Sequence, residues 1–503
     1  MRRDPRLITI MIGYSSLILN GRVTGASALV KKKIAHALAS SSEYSANNAW
    51  NVNFSSGNVN NNNKYNNNYV RAVAALGIEE IAGWVEAFED CCKKKKTSSQ
   101  CTYYRSIYQE DLIRLIVEIK RREYEPSISI CFIVTRPKLR EVFAANFRDR
   151  IVQHWVCIRL NPLFEARFTS QGNVSYNCRE GFGTLAAVQS LSEKIRLVSL
   201  NYTRQAYLGK FDLRSFFMSI DKEILLVMIT ELIQTQYTGE DKETLQYLCE
   251  VIIRHEPQNN CRRKGNVRLW SFLAKNKSLF YAKPGIGMPI GNLTSQLFAN
   301  YYMSFFDEWI LGRLKEYGGE YIRFVDDFVM VVPSTDEYDG KEIIKKLHQE
   351  AIIWLKENLH LSLHKDKVYI QDVKKGVKFV GSVIKPNRIY TSNRTIASLR
   401  WKLRHFEEYC FDLVCEQGDN DGEISVRHTQ LLEHDIDSIN SYLGSLVHTN
   451  SYAIRAKEFL GGKLQFFWKL CYVQGHLQIV KLKKRFKLST KMLKLYENNE
   501  QQQ

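Results

Sequence analysis

The alternation of apolar and polar positions around two adjacent aspartates is the clearest structural pattern in the chain. Residues 321–332 place Asp326 and Asp327 between two short runs rich in β-branched and aromatic side chains. Such runs predict two buried strands joined by a tight turn. Carboxylates are rarely buried unless a partner compensates their charge. The pattern therefore predicts either a metal-binding hairpin or a surface turn with solvated acids.

Periodicity predicts further elements on both sides of this hairpin. Alternation predicts strands at residues 128–134 and 208–211, and helical spacing predicts helices over residues 140–160 and 294–311. From residue 394 to about 487 the pattern is mostly helical and strongly basic. We expect this basic end either to clamp a nucleic-acid duplex or to form a small bundle with a solvated face.

A second acidic motif lies upstream, where Asp212 follows a short apolar run. Phosphoryl transfer to a 3′-hydroxyl is helped by two Mg²⁺ ions about 3.5–4 Å apart, and hard oxygen ligands suit magnesium. We predict Asp212 and Asp326 as primary metal ligands. Asp327 is predicted as a third acid, either a ligand or a neighbour of one, and Asp221 as structural. Mn²⁺ is a possible substitute for Mg²⁺.

The length, net charge and cysteine content of the chain indicate what kind of partner and cellular environment to expect. The chain has 503 residues, enough for several domains, and a formal net charge of +18. This excess predicts a polyanionic partner such as nucleic acid, or else a generally basic surface. The 11 cysteines show no zinc-like spacing. We therefore expect reduced thiols in a cytoplasmic protein, and no apolar run is long enough to span a membrane.

Residues 1–76 differ in composition from the rest of the chain. Arginines precede an apolar stretch at residues 7–19, and small residues follow, which together form a signal-peptide outline. Asparagine dominates residues 47–68, and it favours neither helices nor strands. We expect a disordered, low-complexity leader with no core of its own, and we interpret the whole as an intracellular protein.

A loop with three glycines and a proline lies between the two acidic motifs, at residues 285–296. Such a loop lets the backbone approach a base or a sugar closely. The alternative is an ordinary helix entry that Asn292 or Thr294 caps.

The order of these motifs resembles that of reverse transcriptases, and specifically those of diversity-generating retroelements, over roughly residues 77–400. The segments that carry the resemblance are the fingers motifs at 140–152 and 177–184, Asp212 in the first palm motif, Asp326 and Asp327 in the catalytic hairpin, the following motif at 361–370 and the primer-grip hairpin at 377–381. The stretches 277–280 and 287–296 are the most specific to this subgroup.

The resemblance implies roles for individual residues. It assigns nucleotide binding to Arg179, Phe217, Ile290, Gly291, Lys365 and Lys367, and nucleic-acid contact to Phe379, Val380 and Gly381. Phe217 stands where the family has its steric gate against a ribose 2′-hydroxyl, with core packing as the alternative. Arg179 would contact the triphosphate or form a surface salt bridge. Either lysine would act near the leaving pyrophosphate, unless both are simply solvated.

Two departures from the wider reverse-transcriptase pattern bear on function. The catalytic box begins with Phe324-Val325, a mild variant. Ile290 stands where retroviral enzymes carry a glutamine that touches the incoming nucleotide and the template. An aliphatic side chain removes hydrogen bonding there, so poorer base discrimination is expected. The resemblance implies that this residue accompanies mutagenic copying of template adenines.

The resemblance also implies a right-hand polymerase fold of the α+β class, with fingers, an antiparallel-sheet palm and a helical thumb. The predicted domains are a leader at 1–76, an N-terminal extension with fingers at 77–205, a palm at 206–390 with a fingers insertion at about 225–285, a basic helical thumb at 391–490 and a disordered tail at 491–503.

The implied activity is RNA-directed DNA synthesis that yields adenine-mutagenised cDNA. Implied partners are template RNA, a primer or cDNA, dNTPs and a small basic helical accessory protein. One alternative is a group II intron or retron enzyme, although no maturase or HNH-type segment is evident after Gly381. Another is a catalytically silent nucleic-acid-binding relative, against which the intact acids argue.

The family resemblance suggests an origin for the asparagine-rich leader. Residues 43–76 resemble the end of a variable lectin-like domain, the kind of protein that such retroelements diversify. Asparagine codons are rich in adenine, the mutagenised base. Our hypothesis is that the stretch is a template repeat read in frame, with the true enzyme start near Gly77. A nearby near-copy in the nucleotide sequence, differing at adenines, would support this, and the lack of one would contradict it.

Overall fold

The computed structural model describes residues 48–52, 59–63, 78–93, 98–136, 138–417 and 426–483. It has a mixed helix-and-sheet fold with two compact units. The first unit contains the described residues up to Gly172, then Leu213–Phe306 and Trp354–Ser362; the second contains Asn173–Asp212, Asp307–Ile353 and the described residues from Leu363 onward. The predicted domain boundaries stay predictions, and the tail at 491–503 lies outside the described residues.

Strands and helices are numbered separately in chain order. The strands are β1 (Asn48–Val52), β2 (Val59–Asn63), β3 (Ser129–Val134), β4 (Arg140–Ala144), β5 (Ala206–Asp212), β6 (Cys261–Arg263), β7 (Glu320–Phe324), β8 (Asp327–Pro333), β9 (Tyr369–Asp372), β10 (Val377–Phe379), β11 (Ser382–Lys385), β12 (Arg388–Thr391), β13 (Cys471–Gln474) and β14 (Ile479–Leu482). The helices are α1 (Ile78–Cys92), α2 (Ser99–Lys120), α3 (Phe147–Ser170), α4 (Thr184–Val198), α5 (Phe216–Ser219), α6 (Lys222–Gln236), α7 (Lys242–Arg254), α8 (Leu293–Lys315), α9 (Gly340–Leu359), α10 (Asn393–Gln417), α11 (Val426–Val447), α12 (Tyr452–Leu460) and α13 (Phe467–Leu470).

Aromatic packing between helices forms part of the core of the first unit. Trp84 of α1 stacks on Trp155 of α3 with ring centroids 4.8 Å apart, and both side chains are buried. Indoles bury a large apolar area, and stacked pairs add to this. The contact therefore fixes α1 against α3. Among the described residues, no helix is both long and apolar enough to cross a bilayer.

A three-stranded sheet in the first unit corrects one prediction. Strand β3 pairs antiparallel with β4 and parallel with β6. The helix predicted from residue 140 is wrong in its first part, since β4 occupies that segment and α3 begins at Phe147. Burial alternates along β4, with Glu141 and Phe143 inside, which is the period of a strand. Asn146 then caps α3 by accepting a hydrogen bond from the Arg148 amide.

The second unit contains a four-stranded antiparallel sheet in the order β7-β8-β5-β9. The predicted pair of strands around the adjacent aspartates is confirmed as β7 and β8. One face of this sheet packs on α4, where Leu191 and Ile195 join Leu208, Ile322 and Val331 in one buried cluster.

Helices α10 and α11 pack around a further buried cluster that includes Leu403, Phe406 and Ile439. The mostly helical prediction for this region omitted the hairpin of β13 and β14. Its turn needs backbone in the left-handed region, which Gly475 adopts at a φ of 63°. β-Branched residues on both sides of that turn favour strands.

Strands β1 and β2 pair in the asparagine-rich leader. The low strand preference of asparagine did not predict this pair. The rest of the predicted leader lies outside the described residues.

Candidate active site

The four-stranded sheet brings two carboxylates together on adjacent strands. In the register of β5 and β8, Asp212 lies directly opposite Asp327. Such partners have Cβ atoms about 4.5–5.5 Å apart. Val325 and Asp326 form the turn between β7 and β8, and Val325 has a φ of 60°. A β-branched residue in this region is strained, a condition that concentrates at functional sites.

Two lysines compensate the charge of this acid pair. Nζ of Lys210 lies 3.3 Å from Oδ2 of Asp327, and Nζ of Lys367 lies 2.8 Å from Oδ1 of Asp212. Burial raises the pKa of Asp327, Lys210 lowers it and the charge of Asp212 raises it, with a raised pKa as the net result. A site in which carboxylates repel one another favours the binding of a cation.

One carboxylate oxygen of the pair is a suitable ligand for a metal ion. Oδ1 of Asp327 is buried and accepts no hydrogen bond from the described residues. A buried acceptor without a partner destabilises the fold. Mg²⁺ prefers oxygen ligands and is often held by one or two carboxylates, with waters and substrate phosphates completing its shell. Asp212 and Asp327 fit such an ion.

Asp326, predicted as a primary ligand, lies in the turn and outside this cross-strand pair. Within the described part of the chain, no group of three or more histidine, cysteine or acidic residues is arranged to hold one ion. The register thus places Asp212 and Asp327 opposite each other, with Asp326 in the adjacent turn, and the role of Asp326 as a primary ligand stays a prediction.

A buried ion pair beside the hairpin was not predicted from the sequence. The guanidinium of Arg323 donates to both oxygens of Asp307, at 2.7 and 2.6 Å, and both side chains are fully buried. Tyr321 donates to the same carboxylate at 2.8 Å, and Arg323 also donates to the Val325 carbonyl oxygen at 3.1 Å. The pair thus fixes the strained turn next to Asp326. An arginine within an apolar strand was the available signal.

Arg179, predicted to contact the triphosphate, is buried in the second unit. It donates to the Ser175 carbonyl oxygen at 2.9 Å and to Oδ1 of Asn173 at 2.7 Å, and it lies over the Phe182 ring at 4.0 Å. Arg179 is therefore a buried arginine and does not lie on the surface. These contacts order the loop before α4, and the triphosphate contact stays a prediction.

The structure distinguishes the two lysines that the sequence left as alternatives. Lys367 contacts Asp212, whereas the exposed Lys365 lies within 4.0 Å of no carboxylate in the described part of the chain. Lys367 is therefore the lysine placed at the acid pair.

The predicted nucleotide-selecting residues lie in the first unit. Phe217 and Ile290 both pack against a buried cluster of Cys131, Phe143, Met218 and Leu279. Phe217 is half-buried, while its neighbour Phe216 is buried. The Phe217 side chain therefore packs in the core with part of its ring accessible, and its role as a steric gate stays a prediction.

Gly291 is required by its surroundings. The amide of Phe143 donates to the Ile290 carbonyl oxygen at 2.8 Å, which draws the loop onto β4. A Cβ atom on Gly291 would lie 2.6 Å from the Phe143 carbonyl oxygen, and the φ of Gly291 is 120°. Only glycine satisfies both conditions.

Asp221 caps α6 by accepting hydrogen bonds from the amides of Glu223 and Ile224. Its predicted structural role is confirmed.

The predicted primer-grip hairpin forms from β10 and β11. Val380 and Gly381 make its turn, with φ angles of 37° and 88°. The Phe379 side chain is fully buried in the core of the second unit, so it packs the hairpin. Nucleic-acid contact by Val380 and Gly381 stays a prediction.

Comparison with known proteins gives distant similarities. No protein-family model matches the chain. A curated relative is protein YkfC of Escherichia coli strain K12, which is 23% identical over 300 residues, or 54% of this chain and 70% of that protein.

Two solved structures that are similar to the chain are telomerases. That of Candida albicans in complex with a TWJ fragment of telomeric RNA is 14% identical with a TM-score of 0.40, and covers 68% of this chain and 57% of that one. Apo telomerase of Candida tropicalis is 14% identical with a TM-score of 0.39, and covers 70% of this chain and 63% of that one. The chain thus spans less than two thirds of these telomerase chains, and likeness at this level carries no argument about activity.

Proposed function

We propose that the chain is an RNA-directed DNA polymerase that copies a retroelement template RNA into cDNA. The observation that carries the proposal is the acid pair of Asp212 and Asp327 on adjacent strands, with one buried oxygen that accepts no hydrogen bond from the described residues. The order of sequence motifs from the fingers segments to the primer-grip hairpin supports it.

The residues of the acid pair have distinct tasks in this proposal. Asp212 and Asp327 bind Mg²⁺, or Mn²⁺ in its place, with Asp326 as a third acid. Such ions lower the pKa of an attacking 3′-hydroxyl and neutralise a leaving pyrophosphate. Lys367 supplies a positive charge and a proton donor beside Asp212, where a leaving phosphate needs both.

Nucleotide selection falls to Phe217 and Ile290, which share one buried cluster. The Phe217 ring excludes a ribose 2′-hydroxyl. Ile290 offers no side-chain hydrogen bond to a base. A mispaired nucleotide therefore binds only slightly more weakly than a correctly paired one. The resemblance to enzymes of diversity-generating retroelements further implies cDNA with errors opposite template adenines and a small basic helical protein as the accessory partner.

Primer extension on a heteropolymeric RNA template, with Mg²⁺ and all four dNTPs, tests this function. We expect synthesis with errors concentrated opposite adenine. Ile290→Gln introduces a hydrogen-bonding side chain and should lower those errors by roughly two- to tenfold, since one hydrogen bond contributes about 0.5–1.5 kcal/mol, whereas Ile290→Val should leave them unchanged. Evenly low errors in the unaltered protein would favour an intron or retron class, and RNA binding without synthesis would contradict the polymerase.

A further inference from the structure

Residues 257–283 of the first unit, termed the cationic segment, contain no acidic residue. Its basic residues are all exposed: Arg262, Arg263, Lys264, Arg268, Lys275, Lys277 and Lys283. The chain as a whole has 53 acidic residues against 71 lysines and arginines, so a stretch without any acid is locally far more positive. Such a surface attracts a polyanion.

Two exposed rings lie among these cations. The Phe272 side chain is 73% exposed and that of Tyr281 is 62% exposed. Nζ of Lys275 lies 5.6 Å from the centre of the Tyr281 ring. Exposed aromatic rings interleaved with cations are the means by which proteins bind single-stranded nucleic acid, because bases stack on the rings and phosphates follow the cations.

Buried Glu141 holds the cationic segment in a defined shape. Its carboxylate accepts hydrogen bonds from Nε1 of Trp270, Oγ of Ser278 and the amide of Leu279, each at 2.8 Å. Strand β6, at the start of the segment, pairs with β3. Because the surface is ordered in advance, binding loses little conformational entropy.

A pocket of about 300 Å³ lies at the edge of this surface. Lys275, Lys283 and Tyr281 line it together with Arg214. Asn276 and several serines contribute the remaining polar groups, and no carboxylate lines it. This chemistry suits a phosphate group, which accepts hydrogen bonds and carries negative charge.

We propose that the cationic segment binds single-stranded RNA, with bases stacked on Phe272 and Tyr281 and phosphates held by the surrounding cations. The inference rests on the proposed function for the identity of the strand, which is the unpaired part of the template RNA. A duplex presents no free base faces, so the surface selects single strands over duplexes.

Fluorescence anisotropy with a labelled single-stranded RNA and the full chain tests the proposal, with EDTA present so that no synthesis occurs. Phe272→Ala with Tyr281→Ala should weaken binding about tenfold or more and leave its salt dependence unchanged, because stacking releases no counterions. Arg268→Ala with Lys275→Ala should weaken binding and also reduce the salt dependence. Tyr103→Ala, which removes a ring that is 67% exposed elsewhere, and Lys341→Ala are the matched controls and should bind like the unaltered protein.

Unchanged binding by the aromatic double variant, or equal affinity for duplex and single strand, would overturn the proposal. Primer extension by the unaltered protein separates this inference from the proposed function. Synthesis together with unchanged binding by the aromatic variant would overturn the inference alone. Binding that depends on both rings, in a protein that synthesises nothing, would support the inference and contradict the polymerase.

Discussion

Single residues around the acid pair determine what chemistry the sheet can support. Asp327 is partly buried. Burial and the negative charge of Asp212 raise the pKa of Asp327 by more than the positive charge of Lys210 lowers it. Each acid contacts one lysine, Lys210 beside Asp327 and Lys367 beside Asp212. A bound divalent cation would take over part of this compensation, which leaves Lys367 available to a phosphate.

Replacing Lys367 tests its role as a donor at the leaving group. Lys367→Ala should lower the single-turnover rate of nucleotide incorporation about a hundredfold, since a positioned acid contributes roughly 10²–10⁴-fold. Lys365→Ala removes an exposed lysine from the same loop and should change the rate less than about twofold, within the range of a screened surface charge. Equal losses in both variants would show that only the general charge of the loop matters.

At the scale of elements, the β7–β8 hairpin depends on a buried ion pair. Arg323 lies within β7, and its partner Asp307 belongs to α8. Burial, and then the charge of Asp307, raise the pKa of Tyr321 well above its ordinary value, so its hydroxyl remains a donor to that carboxylate. The helix and the hairpin turn are therefore joined through one carboxylate.

Removing one member of this pair should destabilise the fold. Asp307→Ala leaves the Arg323 guanidinium buried without its carboxylate and should lower the free energy of unfolding by about 3–5 kcal/mol. Asp307→Leu combined with Arg323→Met replaces both charges by apolar groups and should recover most of this loss. Urea unfolding followed by circular dichroism measures both variants. A loss below about 0.5 kcal/mol in Asp307→Ala would contradict the assigned role of the pair.

Elements with a single clear period were predictable from the sequence. Strands β7 and β8 and helix α8 lie where alternation and helical spacing predicted them. Strand β4 was mistaken for helix because Val142 and Phe143 also fit a helical spacing with the residues of α3, and only pairing with β3 decides between the two. The β13–β14 hairpin was missed because its strands are four residues each, too short for a period to emerge.

At the scale of the whole molecule, sequence order identified the acids but not their arrangement. Asp212 and Asp327 are 115 residues apart, 327 minus 212, and only the register of β5 and β8 places them opposite each other. The net charge of +18 predicted a polyanionic partner without locating it. The cationic segment, whose shape depends on the buried Glu141, locates one candidate surface.

The most direct test of the central claim is single-turnover incorporation of a dNTP on an RNA template with Mg²⁺, measured for Asp212→Asn and Asp327→Asn. Each change removes a carboxylate charge from the acid pair and should lower the rate by on the order of 10³-fold, as expected when metal-assisted charge stabilisation is lost. Asp336→Asn, which alters an exposed acid of the same unit, should leave the rate unchanged. If either pair variant folds, binds RNA and incorporates dNTPs within a few-fold of the unaltered protein, the acid pair is not the catalytic centre.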